Sequence, residues 1–322
     1  DYSKLILEKK CFTLYEKIES ADNYFSKNKP KFILSHCSFE MGRFLAEFSD
    51  YHKIPSLVIS HGTHTHHKDK RINSEWKESA RFLMNPFKNS FKYISAQSPL
   101  TNEFLLKNNH AKKIIKTGPI IFSHKIESRL RDSSTKHLPK KMILHASTPK
   151  VFSGFRPITF ESTEEYIKQI NSIISVIDKI KNFHLIIKFR PIYNMSNNVS
   201  LSYETFKNSL INSKNYTISV KENLSSLLDA SDCLISYSST VIEEMLNYKK
   251  PVILFDTFKR YCHVSDKIVK NNLEFKLAPI NYLTNNSQLE KSLKSLKNIN
   301  MNKFQKNKFW SQFIYPFDNN MS

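Results

Sequence analysis

Short apolar segments alternate with amphipathic helical segments along most of this chain, and this alternation limits its fold more than any other feature. In the first part, residues 31–36, 56–60 and 91–96 have the apolar character of buried strands. Residues 39–51 and 100–107 space their apolar side chains as helices do. Strands that alternate with helices form parallel sheets covered on both faces. We therefore expect an α/β fold.

The same alternation begins again after residue 140. Ser162 and Glu165 have the spacing of a capping box, which predicts the start of an amphipathic helix. Five segments of this second part predict strands, residues 141–146, 183–189, 216–220, 233–236 and 251–255. Residues 113–116 predict a further strand at the end of the first part. The second half is therefore expected to be another doubly wound domain.

A charged and polar stretch, residues 123–140, separates the two halves and is interpreted as a linker. The predicted architecture is two Rossmann-like domains, residues 1–122 and 141–322, which face each other across a cleft. A length of 322 residues suits two domains of ordinary size. Since the chain begins with Asp1, we expect it to be a piece of a longer protein.

The formal charge of +20 favours a polyanionic partner, unless most of the charge only solvates the surface. The sequence contains no basic-aromatic RNP motif, so nucleic acid is not expected as a partner. If the protein is not an enzyme, the alternatives are a basic nucleic-acid-binding domain and a non-catalytic scaffold. The four cysteines form no Cys-x-x-Cys pair, and no apolar run approaches the ~20 residues of a membrane helix. We expect a cytoplasmic protein.

A basic amphipathic helix is predicted over residues 288–310. It is interpreted as a solvated helix; the alternative is a patch for an anionic membrane surface, with Phe304, Phe309 and Trp310 as its apolar part. That alternative corresponds to a peripheral position on the inner face of the plasma membrane.

A hydroxyl-rich turn follows the strand predicted at residues 233–236 and precedes a predicted helix over residues 240–248. The unpaired N–H groups at a helix start bind phosphate, and a carboxylate one turn later can accept hydrogen bonds from ribose hydroxyls. The alternative is a simple Ser/Thr helix cap. The residues assigned here to binding the nucleotide of a donor substrate are Ser236, Ser238, Ser239, Thr240 and Glu244.

His61, Gly62 and Thr63 follow the strand predicted at residues 56–60. A neutral histidine at the carboxyl edge of a sheet can take a proton from an acceptor hydroxyl, so His61 is the candidate general base; a buried structural histidine is the alternative. Gly62, Thr63 and His64 are assigned to the acceptor side. His64, His66 and His67 can in principle bind a metal, but no Asp, Glu or Cys set at ligand spacing accompanies them, so no metal is expected.

Lys188 and Arg190 end another predicted strand, where two cations favour phosphate contact; Arg190 is also a catalytic candidate. A surface ion pair is the alternative. Thr148 follows the strand predicted at residues 141–146 and is assigned to the donor side on a weaker pattern.

The string from Asp232 to Ile253 resembles the donor-binding segment of the CDP-glycerol glycerophosphotransferases and related capsule enzymes. The matching residues are Asp232, Leu234, Ile235, Tyr237, Ser238, Ser239, Lys250, Pro251, Val252 and Ile253. Glu243 and Glu244 make the same place similar to UDP-N-acetylglucosamine 2-epimerases. The chain departs from both families at Arg190, where they have histidine, which leaves open whether Arg190 is catalytic.

The resemblance implies a GT-B-like bacterial enzyme of cell-envelope glycan synthesis. It implies phosphate binding by Ser238, Ser239 and Thr240, a ribose contact by Glu244 and catalysis by His61. The implied reaction moves a glycosyl or polyol-phosphate group from a CDP- or CMP-linked donor, with UDP as an alternative, to a glycan or lipid-linked glycan. No cofactor is expected. A UDP-N-acetylglucosamine 2-epimerase-like enzyme is the alternative.

Overall fold

A computed structural model shows the fold of this chain. It describes residues 2–36, 41–59, 66–67, 90–107, 113–120, 141–146, 162–189, 199–237, 239–259, 261–262 and 272–315. The chain divides into two compact units. Unit 1 consists of Asp1–Thr63, Asp69–Ile121 and Tyr315–Ser322, and unit 2 of His64–Lys68 and Phe122–Ile314. The linker predicted at residues 123–140 lies outside the described residues.

Strands alternate with helices in most of the described part of both units, as predicted. The strands are β1 (Ile33–Ser35), β2 (Ser56–Ile59), β3 (His66–His67), β4 (Tyr93–Ala96), β5 (Ile114–Lys116), β6 (Lys141–Ala146), β7 (Phe183–Lys188), β8 (Tyr216–Ser219), β9 (Cys233–Ser236), β10 (Val252–Phe255), β11 (Tyr261–Cys262) and β12 (Ile280–Leu283). The helices are α1 (Tyr2–Lys27), α2 (Met41–Tyr51), α3 (Pro99–Lys107), α4 (Thr163–Lys179), α5 (Val199–Asn208), α6 (Leu224–Ala230), α7 (Val241–Asn247), α8 (Asn286–Leu296), α9 (Met301–Gln305) and a final 3-10 turn (Lys308–Gln312).

Unit 1 contains a parallel sheet in the order β1-β2-β4-β5. Its apolar core includes Phe48 of α2, Val58 of β2 and Ile94 of β4, all buried. A polar contact also joins α2 to this sheet, because the Ser49 and Ser56 hydroxyls lie 2.9 Å apart in the interior. Apolar strands on one side and the buried face of α2 on the other therefore make the layered packing that the sequence predicts.

Helix α1 was not predicted. Near its end, the Phe25 ring packs 5.5 Å from the Phe48 ring of α2. Its first half carries large apolar side chains that are more than half exposed, namely Leu5, Leu7, Phe12 and Tyr15. Because Leu7 lies on the opposite side of the helix from Leu5 and Phe12, the sequence lacks the single apolar stripe by which an amphipathic helix is recognised.

Unit 2 contains a parallel sheet in the order β12-β10-β9-β6-β7-β8. Numbered by position within this sheet, the order is 3-2-1-4-5-6, that of doubly wound Rossmann sheets. The strand order reverses between β6 and β9, which are hydrogen-bonded neighbours. In such sheets, ligands bind in the crevice beyond the carboxyl ends of the strands at this switch point.

Helix α4 begins as its sequence predicts. Ser162 accepts a hydrogen bond from the Glu165 N–H at 3.1 Å, and the Glu165 carboxylate accepts one from the Ser162 N–H at 3.0 Å. This confirms the capping box. The predicted apolar stripe is buried in full; its members are Tyr166, Ile170, Ile173, Ile174, Ile177 and Ile180.

The region predicted as one helix over residues 288–310 consists of α8, α9 and the 3-10 turn. Phe304, Phe309 and Trp310 are buried, with 6%, 6% and 3% of their surface exposed. The Trp310 indole N–H also donates to the Phe304 carbonyl at 2.9 Å. The alternative interpretation of these aromatic residues as a membrane patch is therefore wrong, because they pack into unit 2. Within the described part of the chain, none of the helices has the length and apolar character needed to span a bilayer.

Candidate functional site

The carboxyl ends of β6 and β9 form the switch point of unit 2. The Ser236 hydroxyl donates to the Ala146 carbonyl at 2.9 Å, and the His145 Nδ1 atom lies 3.0 Å from the Ile235 carbonyl. Ser236 is 0% exposed and His145 is 1% exposed. Ser236, which the sequence assigns to donor binding, therefore uses its hydroxyl to join two strands at the switch point.

Helix α7 begins directly beyond this point. Thr240 is its N-cap residue, yet the Thr240 side chain makes no capping hydrogen bond. The Ser239 hydroxyl accepts from the Val241 N–H only at a long 3.4 Å. Helix N-caps normally use such hydroxyls to satisfy the first N–H groups. Ser239 and Thr240 are half-buried at the sheet edge and are weakly engaged in capping, so their hydroxyls can serve a ligand instead.

Two carboxylates occupy the first turn of α7. The Glu244 N–H donates to the Thr240 carbonyl at 3.2 Å, which places Glu244 one helical turn after Thr240, as the sequence predicts. Glu244 is half-buried and Glu243 is only 1% exposed. A carboxylate this deeply buried is rare without strong partners. The Glu–Glu pair in the sequence was the signal for these positions.

Lys188 lies at the carboxyl end of β7, on the predicted edge of the sheet. Its Nζ atom donates to the Val220 carbonyl at 2.7 Å and to the Glu222 carbonyl at 2.8 Å. Burial lowers the pKa of Lys188, and the nearby Glu222 carboxylate partly opposes that shift. The ammonium group therefore faces the turn between β8 and α6.

Asp256 is a further carboxylate at this edge, which the sequence analysis did not single out. It follows β10 directly, is 1% exposed, and its Oδ2 atom accepts a hydrogen bond from the Tyr282 hydroxyl at 3.0 Å. Strand β10 is the neighbour of β9, so Asp256 lies one strand from the start of α7. An acidic residue immediately after a fully apolar strand was the available signal.

Two residues that carry the family resemblance have structural contacts. Asp232 precedes β9, at the opposite edge of the sheet, where its carboxylate accepts from the Lys141 ammonium at 3.1 Å and from the Met142 N–H at 2.8 Å. The Lys250 ammonium donates to the carbonyls of Leu228 and Asp229 at the end of α6. The residues that carry the resemblance therefore include some that stabilise the fold, in addition to those of the turn at Ser239.

Several predicted site residues lie outside the described residues, so their roles stay predictions: His61, Gly62, Thr63, His64, Thr148, Arg190 and Ser238. The segment that follows His64 is partly described. His66 and His67 pair with Cys262 and Tyr261 as antiparallel strands, and this short ribbon belongs to unit 2. Among the described residues, no group of three or more His, Cys, Asp or Glu side chains is placed to hold a metal ion.

Known structures resemble this fold over most of the chain. A co-structure of S. aureus MnaA with UDP matches with a TM-score of 0.61 at 12% identity, covering 94% of this chain and 75% of that one. UDP-GlcNAc 2-epimerase from Neisseria meningitidis bound to UDP-GlcNAc matches with 0.56 at 15% identity, covering 93% and 77%. The glycotransferase of kitacinnamycin matches with 0.54 at 8% identity, covering 90% and 73%.

The fold is GT-B-like. Identities this low show the fold alone. The predicted α/β class with two Rossmann-like units is confirmed, whereas the predicted cleft between the units stays a prediction. No model of a known protein family matches the chain, and no curated protein sequence matches it.

Proposed function

We propose that this protein is an enzyme that acts on a nucleotide-activated sugar or polyol, and that it binds the donor phosphate at the start of α7. The observation that carries the proposal is the weakly capped helix start at the switch point, with the Ser239 and Thr240 hydroxyls beside it. The GT-B-like fold adds support, since solved proteins of similar fold are complexes with UDP or UDP-GlcNAc.

The reaction that we propose is group transfer to a bacterial surface polysaccharide, with a CDP- or CMP-linked donor favoured by the string around Ser239. His61 takes the proton of an acceptor hydroxyl, and the acceptor oxygen bonds to the sugar carbon or to the polyol phosphorus. The bond to the nucleotide phosphate oxygen breaks in the same reaction, and the nucleotide leaves with the electron pair.

The leaving phosphate is stabilised electrostatically in this scheme. The Ser239 and Thr240 hydroxyls, the positive end of α7 and the Arg190 guanidinium surround the developing charge. Glu244, one turn along α7, accepts hydrogen bonds from the ribose hydroxyls. These groups neutralise the phosphate without a metal ion, so we propose a metal-independent transferase that needs no cofactor.

A second candidate is an epimerase of UDP-N-acetylglucosamine. Two observations favour it: the Glu243–Glu244 pair in the first turn of α7 and the likeness of the fold to that of the Neisseria meningitidis UDP-GlcNAc 2-epimerase. The two candidates share the nucleotide site and differ in the donor and in the product. Their separation therefore needs an activity assay as well as a binding assay.

The test is a thermal-shift panel of CMP, CDP, UMP and UDP, each with and without magnesium. A nucleotide at a hundredfold excess over its Kd stabilises the protein by about 2.7 kcal/mol. We expect stabilisation by at least one nucleotide, followed by CMP release from CDP-glycerol with a glycan acceptor. Formation of the C2 epimer from UDP-GlcNAc would select the epimerase instead. Stabilisation by DNA or RNA and by none of the nucleotides would overturn the enzyme class.

A further inference from the structure

The first half of helix α1 carries a row of large apolar side chains on its surface. Leu5, Phe12 and Tyr15 are spaced seven and three positions apart, so they lie on one side of the helix. Their exposed fractions are 65%, 63% and 61%. We call these three residues the outer row. Exposed apolar side chains are ordinary when they are scattered singly, whereas a contiguous group of them indicates an interaction surface.

The second half of α1 packs against its own unit. Four apolar residues at intervals of four, three and four are half-buried there, namely Leu14, Ile18, Ala21 and Phe25. By contrast, every described side chain from Lys4 to Thr13 is exposed. That segment has about three turns, and a helix so short is only marginally stable in water without tertiary contacts. A partner that packs on the outer row would supply these contacts.

The charge of α1 indicates which kind of partner fits it. The described charged side chains of this helix are Lys4, Glu8, Lys9, Glu16, Lys17, Glu19, Asp22 and Lys27, all of them exposed. Four are basic and four are acidic, although the whole chain has a formal charge of +20. Anionic lipid surfaces and nucleic acids are bound by an excess of positive charge. A protein surface of mixed charge therefore suits this helix better.

The order of these charges makes the helix complementary to a second copy of itself. The described side chains of residues 4–9 carry two positive charges and one negative, and those of residues 16–22 carry one positive and three negative. Phe12 lies between the two groups. Two antiparallel copies of α1 with Phe12 near the two-fold axis place the basic start of each helix beside the acidic part of the other. A parallel pair places like charges side by side.

We propose that α1 is a self-association surface, on which a second copy of this chain packs its own α1 in the antiparallel direction. This inference is independent of the proposed function. Since an aromatic side chain covers about 150–250 Å², the outer rows of two copies together expose on the order of 700 Å² of apolar surface. The flanking charged side chains bring the contact to about 1,000 Å², the lower limit for a specific interface. A symmetric dimer of micromolar affinity follows.

Sedimentation velocity over a range of protein concentrations tests this proposal. The wild type should change from monomer to dimer as its concentration rises, and Leu5→Lys should raise the Kd of the dimer at least tenfold. The matched control is Leu7→Lys, because Leu7 is 62% exposed on the opposite side of the same helix. Its Kd should stay within about twofold of the wild type, since it leaves the outer row intact. Circular dichroism verifies that both variants keep the helical content of the wild type.

A charge exchange tests the antiparallel direction. Lys4 and Glu19 are exposed and lie too far apart along one helix to interact within a single copy. Lys4→Glu and Glu19→Lys should each weaken the dimer, because each sets like charges against each other across the two-fold axis. The double variant should recover most of the wild-type affinity. Equal losses that add in the double variant would overturn the antiparallel arrangement.

Three other outcomes would overturn self-association through α1. The first is a wild-type protein that stays monomeric at its highest soluble concentration. The second is a dimer that Leu5→Lys and Leu7→Lys weaken equally or not at all, which would place the interface elsewhere. The third is a monomer that sediments with vesicles of anionic phospholipid and loses this property in Leu5→Lys, which would make the outer row a lipid contact.

Discussion

Ser236 on β9 donates its hydroxyl to the Ala146 carbonyl on β6 over 2.9 Å, at the carboxyl ends of the two strands where the order of the sheet reverses. Neither residue has exposed surface that matters for binding, since Ser236 is 0% and Ala146 is 3% exposed. The bond gives the buried Ala146 carbonyl a hydrogen-bond partner from the neighbouring strand. It also joins the two strands between which the order of the sheet reverses, next to the proposed donor site.

Replacement of Ser236 by alanine should therefore lower the free energy of unfolding. Loss of one buried hydrogen bond costs about 1–2 kcal/mol, because the Ala146 carbonyl stays buried. Urea denaturation measures this as a lower midpoint at unchanged slope. The control is Ser209→Ala, which removes an exposed hydroxyl that donates to the Thr205 carbonyl at 2.8 Å. Equal stability of the two variants would contradict the role given to Ser236.

We expect Asp232 to contribute to the stability of the fold and not to the binding of nucleotide. Asp232→Ala removes the contacts with the Lys141 ammonium and the Met142 N–H and should cost about 1–3 kcal/mol. Its nucleotide affinity should match the wild type, because Asp232 precedes β9 and the proposed donor site lies beyond the end of that strand. A large loss of affinity in a variant that is still folded would place Asp232 in the site.

His61→Ala should abolish turnover and leave nucleotide binding nearly intact. Removal of a general base costs about 10²–10⁴ in rate, whereas the proposed donor contacts belong to other residues. Steady-state kinetics and nucleotide titration on the same preparation measure both effects. His184→Gln, an exchange of a half-buried histidine on β7, serves as control. Activity that survives in His61→Ala would remove His61 as the base.

The Glu222 carboxylate should respond to pH in a way that depends on Ser219. The Ser219 hydroxyl and nearby backbone N–H groups lower the pKa of Glu222 below its ordinary value. A lowered carboxylate pKa adds stability that is present above the unfolded pKa and is lost as the pH falls through the folded one. Since Glu222 is exposed, we expect no more than about 0.5 kcal/mol between pH 6 and pH 3.

NMR titration of the Glu222 side chain measures the pKa directly. In Ser219→Ala the pKa should rise toward its ordinary value, and the contribution of Glu222 to the pH dependence of stability should shrink. An unchanged pKa in that variant would mean that the Ser219 hydroxyl does not bond to the carboxylate in solution.

Trp310 should not enter a lipid surface. The chain has two tryptophans, so Trp76→Phe leaves Trp310 as the single reporter. Because Trp310 is 3% exposed and its indole N–H is hydrogen-bonded, brominated anionic lipid vesicles should not quench its fluorescence. Exposed N-acetyltryptophanamide linked to lipid gives the positive control. Quenching of Trp310 by the vesicles would restore the membrane interpretation of this region.

The strands of unit 2 and its helix α4 were predictable because each carries a simple pattern of apolar side chains. The capping box at Ser162 and the stripe of α4 are local features, and local contacts maintain them in the structure. Helix α1 and helix α6 escaped prediction for physical reasons. The apolar side chains of α1 form no single stripe, because Leu7 lies opposite Leu5 and Phe12. Helix α6 is seven residues long, too short for periodicity to distinguish it from a turn.

The candidate site was predictable to the extent that parallel strands bring their carboxyl ends to one edge. That rule placed Ser239, Thr240 and Lys188 at the carboxyl edge of the sheet and Glu244 in the first turn of α7, while their roles stay predictions. It does not indicate which polar group a side chain faces. Whether the Ser236 hydroxyl meets a strand carbonyl, or Lys188 a turn, depends on contacts between residues about 30 to 90 positions apart, which no local sequence pattern records.

The short ribbon of His66–His67 and Tyr261–Cys262 has a consequence for engineering. Since His64–Lys68 groups with unit 2 while the residues on both sides of it group with unit 1, no single recombination breakpoint separates the two units. A chimera that imports a new unit 1 by a cut near residue 121 would pair a foreign segment with β11. Such exchanges should retain His66 and His67 together with Tyr261 and Cys262, or replace all four at once.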